Sequence, residues 1–133
     1  MRTSFRPAVV LLALIFLGSG GAKLAGLEFE IEAFTRWGYP LWFMYLAGTI
    51  EVAGAVLLLV PRLSALAAAG LAAFMLGAVA THVVHAEWAM LAVATAITLL
   101  AARLAWAADQ SPLKNRAVPM ASAAAPSRSS AST

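Results

Sequence analysis

No cysteine occurs among the 133 residues. Disulfides, thiol–disulfide catalysis, cysteine-ligated iron–sulfur clusters and thiolate zinc sites are therefore excluded together. The compartment is left open, because a chain without cysteine suits either redox environment. Charge is nearly as scarce. Asp, Glu, Lys and Arg make up 11% of the chain, where a soluble domain carries about 25%. The dinucleotide-binding GxGxxG, the phosphate-binding P-loop, the HExxH of zinc proteases and the GxSxG nucleophile elbow are all missing. What fills the chain instead is apolar: 62% of residues are hydrophobic and the mean hydropathy is +0.86. A membrane protein with one small domain follows. The net charge of +3 and pI near 10.0 do not imply nucleic acid as a partner. The basic residues sit at the chain ends and in loops, which is the placement that sets membrane topology.

Four apolar segments are predicted as spanning helices, at about residues 7–26, 41–60, 64–86 and 87–106. Each approaches the roughly 20 residues that a bilayer requires. Pro40 and Pro61 bracket the second, and Pro61-Arg62 makes a tight turn. His85-Ala86-Glu87 is the weakest of the boundaries. The first segment also has the order of a signal peptide: Arg2 and Arg6, an apolar run, then small residues at 19–22. Apolar character resumes at Ala22 and Leu24, so the segment is read as a retained helix. Arg2, Arg6, Arg62, Arg103, Lys114, Arg116 and Arg128 fall on one side of such a bundle, and only Lys23 and Arg36 on the other. Both termini are thus expected to be cytoplasmic, in a multi-pass protein of the plasma or inner membrane. Leu27–Glu32 alternates with period two, which suggests a short interfacial element between the first and second spans. Trp37, Tyr39, Trp42, Tyr45, Trp88 and Trp106 fall where aromatic belts are expected. The serine-, alanine- and proline-rich stretch 108–133 is expected to be a disordered tail.

Glu51 stands alone as an ionisable group near the middle of the second span. A charge at the bilayer centre costs about 2.5–3.5 kcal/mol on insertion scales, so it faces protein or a cavity. At i±3 and i±4 its neighbours are Ala47, Gly48, Gly54 and Ala55, a small-residue face that lets helices approach closely. Lys23 closes the first helix and His82 lies near the end of the third, beside Thr81 and one turn before His85. Side chains lean toward the N-terminus of their helix. Lys23 and His82 therefore lean into the membrane, Glu51 leans the other way, and the three converge on one level. Lys23 either pairs with Glu51 or snorkels to the interface. His82 and His85 share one turn of one helix, a poor arrangement for a metal or for haem ligands on facing helices, so no metal is assigned. Lys23, Glu51 and His82 form the candidate site, with Thr81 and His85 as secondary members. No catalytic residue is assigned.

In their order, these motifs resemble the DoxX-like family of small four-helix membrane proteins. The match is carried by Gly18-Ser19-Gly20-Gly21-Ala22-Lys23-Leu24, by Trp37-Gly38-Tyr39-Pro40, by Gly48, Glu51 and Gly54 ahead of Leu57-Leu58-Leu59-Val60-Pro61-Arg62, and by Met75, Ala78, Thr81 and His82. The resemblance covers about residues 7–107. It implies an all-α, four-helix integral membrane bundle whose polar core is Lys23, Glu51 and His82. It also implies a place in a redox membrane complex, with a partner subunit and with quinone as the cofactor such complexes use. Two other functions fit the residues. One is a small proton-coupled transporter working as a homo-oligomer around its membrane glutamate. The other is a non-catalytic assembly subunit.

Overall fold

The computed structural model describes residues 6–109, which form α1 (Arg6–Leu24), α2 (Glu28–Trp37), α3 (Leu41–Leu58), α4 (Ser64–Val84) and α5 (Trp88–Asp109). All but α2 are long and apolar enough to cross a membrane. Residues 110–133, the greater part of the tail expected to be disordered, lie outside the described residues. Ala108 and Asp109 instead continue α5.

The interfacial element is a helix of 10 residues, half a bilayer span. The period-two alternation of Leu27–Glu32 is outweighed by stronger local signals. Glu28 and Glu30 occupy the first turn and Arg36 the last, each complementing the helix dipole. Gly38 accepts the left-handed conformation (φ 78°) that closes the helix, with Tyr39 N–H donating to the Phe34 carbonyl, and Pro40 then starts the next element. Glu30 and Phe34, four residues apart, share the buried face of α2.

The spans pack as two principal pairs, α1 on α3 and α4 on α5, joined mainly where α3 meets α4. The α1–α3 contact is backbone to backbone. A Cβ placed on Gly20 would lie 2.8 Å from the Gly48 carbonyl oxygen, and one on Gly48 would lie 2.9 Å from the Gly20 carbonyl oxygen. Within lipid, where apolar surface gives helices no preference for one another, such close packing supplies much of the association. The two pairs close on each other toward the start of α1 and the end of α5. There Leu12, Ala13 and Phe16 join Ala55, Leu58, Leu71, Ala101 and Leu104 in one core. Toward the other end they part. α2 lies over that opening, with Phe34 seated on Met44 and Ala47.

The weak boundary between α4 and α5 is a sharp turn. Ala86 takes φ 54°, and Glu87 N–H donates to the His82 carbonyl across it. An L-residue pays about 1–2 kcal/mol for this conformation and glycine does not. Ala86→Gly is therefore expected to raise stability by roughly 0.5–1 kcal/mol, read as a higher midpoint of thermal unfolding in detergent.

Candidate functional site

Lys23 lies in the last turn of α1 and turns inward, only 9% exposed. Its ammonium sits 3.3 Å from Glu30 Oε1 and 3.3 Å from Glu51 Oε1, and donates to Ser19 Oγ at 2.9 Å. Each partner has a local reason to be there. Ser19 is one turn back on the same helix, Glu30 faces inward from the first turn of α2, and Glu51 follows Gly48 on the small-residue face of α3. Between pairing and snorkelling, the geometry selects pairing. Glu51 is 4% exposed and Glu30 8%, so three ionisable groups are buried as a cluster in which one cation serves two carboxylates.

His82 belongs to a second cluster. Its Nδ1 lies 2.7 Å from Glu87 Oε2, which also accepts from Trp37 Nε1 at 3.1 Å. Arg36 donates to Glu87 Oε1 from Nε at 3.1 Å and from Nη2 at 2.8 Å. A carboxylate only accepts, so His82 Nδ1 carries the proton. Its Nε2 makes no hydrogen bond among the described residues. No fully buried side-chain nitrogen or oxygen there lacks a partner, so Nε2 keeps contact with open space. The Trp37 ring meets the imidazole edge-on at 5.4 Å.

The structure thus divides the expected convergence of Lys23, Glu51 and His82 into two neighbouring groups. Both line one cavity of about 630 Å³ between the helix pairs, walled by Phe43, Phe74, Met75, Val93, Ala94 and Ile97. Of the secondary members, Thr81 lines this cavity and His85 does not, and both have structural duties. Thr81 Oγ1 donates to the Gly77 carbonyl and so accepts from the Tyr39 hydroxyl at 2.9 Å. His85 Nδ1 donates to the Thr81 carbonyl at 2.8 Å and closes its own helix. Trp37 and Tyr39 are not simply belt residues. Their polar atoms bind Glu87 and Thr81, whereas Trp42, Trp88 and Trp106 remain 66–68% exposed, as belt residues should be.

Glu30, Arg36 and Glu87 are the members that sequence reading did not assign to the site: Glu30 and Arg36 were placed between the first two spans and Glu87 at the start of the fourth. For Glu30 and Arg36 the signal was available in the dipole-matched ends of α2. For Glu87 it was not, because five residues from His82 is no helical spacing. Only the left-handed turn at Ala86 folds it back.

Glu87 lies outside the spans. Partial burial opposes its ionisation, but hydrogen bonds from His82, Arg36 and Trp37 outweigh that and hold its carboxyl at about 2, below the ordinary 4.5. The stability this contributes is complete above pH 4.5 and is lost as pH falls toward 2. Tryptophan fluorescence is expected to show the Trp37 end of α2 loosening across that window in the native chain. Glu87→Gln should already be loosened at neutral pH and show no such transition.

A family model described as the DoxX-like family matches residues 8–108. The uncharacterized protein YdgD of Bacillus subtilis (strain 168) is 32% identical over 82 residues, which cover 59% of this chain and 72% of that protein. No solved structure matches the chain. With four helices able to cross a bilayer and the family match extending from α1 almost to the end of α5, this is a membrane protein belonging to the DoxX-like family.

Proposed function

We propose that the protein is the membrane subunit or accessory of a quinone-linked redox complex in the plasma or inner membrane, with both termini cytoplasmic and a partner subunit supplying electrons. The observation that carries this reading is the cavity, apolar along its walls and ionisable at one end. Its volume of about 630 Å³ falls within the range of small-molecule sites. A quinone needs that combination: apolar surface for ring and chain, and groups that exchange protons at the ring oxygens.

The donor set fits. His82 Nε2 is the available atom, and it suits both forms of the ligand. Neutral imidazole accepts a hydroxyl proton there, and imidazolium donates from the same atom to a carbonyl. Glu87 fixes the tautomer through Nδ1 and stabilises the charged ring. Lys23 and Glu51 place a compensated charge pair at the same end. When bound, a quinone supplies two-electron, two-proton redox chemistry. The chain's own part is to seat it and to hold or release the protons.

A proton-coupled transporter needs a carboxylate free to alternate between proton and cargo. Glu51 is already held by Lys23 at 3.3 Å, which weakens that alternative. An assembly subunit would show no ligand response.

The test is thermal unfolding of the purified protein with a short-chain quinone. A rise in midpoint is expected, reduced at least threefold in both Glu51→Gln and His82→Ala. A rise that survives both substitutions, or no rise in the native chain, defeats the reading.

A further inference from the structure

The cavity has a side as well as an end. α1 reaches α5 only sparingly, and α2 and α5 are not a packed pair. α2 is instead tied to the head of α5 through Glu87, which Arg36 and Trp37 hold. Below that tie, between α2 and α5, lie side chains that line the cavity and keep half or more of their surface exposed. Phe29 is 62% exposed, Met90 52% and Val93 51%. These are apolar residues. Met90 and Val93 lie on a helix long and apolar enough to cross a bilayer, which is the ground for assigning their exposed surface to the lipid side. Deeper in, Met75 and Ala94 line the same cavity while only 7% and 4% exposed. A continuous apolar path therefore runs from lipid, past Val93, to the ionisable end at Lys23 and His82.

From this path we infer that the cavity is loaded sideways from the bilayer, between α2 and α5, and that its ligand is a membrane-dissolved amphiphile. The polar head lies at the two ionisable clusters and the apolar chain trails out past Ile97 and Val93. Such a ligand need not cross water, and the exposed apolar wall that would be a liability in a soluble protein is here its route. Val93 and Met90 control the width of that route and so select for chain thickness. The inference deepens the quinone reading by naming how the ligand arrives, and it holds for any amphiphile of this shape.

Photolabelling in vesicles tests it without requiring a quinone. A hydrophobic diazirine dissolved in the bilayer is expected to label Met75 and Ala94, identified by mass spectrometry, alongside the lipid-facing Leu99. Val93→Trp should narrow the path and cut cavity labelling at least fivefold with Leu99 unchanged. Val93→Ala should raise it. Both substitutions fall on an exposed position, so the fold tolerates them. Failure to label Met75 and Ala94 in the native chain, stronger labelling of them by a water-soluble diazirine, or indifference to both substitutions overturns the inference. Adding a short-chain quinone separates the two proposals. Competition with the label supports both. Labelling that responds to Val93 but not to quinone upholds the lateral route and defeats the quinone assignment.

Discussion

Lys23→Met is expected to destabilise the bundle by about 3–5 kcal/mol, because it strips from two buried carboxylates the only cation they have among the described residues. The magnitude is set by what remains and not by the worth of the pair itself. Glu51 at 4% exposure and Glu30 at 8% are largely withdrawn from bulk water, which would otherwise compensate for the lost ammonium. They share one ammonium in a buried cluster, where an unpaired charge costs far more than a good pair gains. Two further substitutions separate this from a packing effect, since methionine nearly matches the lysine stem in volume. Adding Glu51→Gln to Lys23→Met should recover a large part of the loss, and adding Glu30→Gln as well should recover most of it. Reversible unfolding in mixed micelles, followed by helix content, gives the three values. Equal losses in the single and triple variants would mean that charge is not what the site feels.

Gly48→Ala is expected to cost about 1–3 kcal/mol, the range for overpacking a close contact. The added methyl meets the Gly20 carbonyl oxygen at 2.9 Å and the Lys23 Cβ at 2.9 Å. Neither can swing away as the end of a flexible side chain can. α1 must therefore move off α3, taking the Lys23 ammonium away from Glu51 with it. Gly20→Ala meets the same two backbones from the other side, at 2.8 Å from the Gly48 oxygen. The double variant should then cost clearly less than the sum of the two, because one separation relieves both clashes. Gly18→Ala and Gly21→Ala, where an added Cβ meets nothing within 4 Å, should be neutral or slightly stabilising. The contrast among four glycines within or opposite one short stretch, measured by the same unfolding assay, isolates the α1–α3 contact.

The spans and the inward face of α3 could be read from the chain because their signals are local and repetitive. Twenty-residue apolar runs announce themselves, and Ala47, Gly48, Gly54 and Ala55 recur at helical spacing around Glu51. Helix direction put Lys23 within reach of Glu51 but left pairing and snorkelling open, and only the folded geometry decides for the pair. Glu30 was hidden by a competing local pattern: Leu27–Glu32 alternates like a strand, while the caps and the dipole-matched ends that make it helical lie at either side. The pairing of His82 with Glu87 could not be foreseen from spacing. It depends on one alanine taking φ 54°, a conformation the residue does not favour and no sequence period encodes. The cavity was equally illegible, since it arises from the parting of two helix pairs and not from any segment.

The pairing of α1 with α3 also bears on how the chain enters the bilayer. Lys23 and Glu51 both belong to the first 58 residues, and their helices touch through bare backbone. A hairpin carrying both can move from the insertion machinery into lipid as one body, its cation and carboxylates already neutralising one another, so neither helix has to meet the hydrocarbon bearing a lone charge. Among the described residues α4 and α5 hold no such pair in their interiors, and the Arg36–Glu87 pair joins α2 to the turn between them.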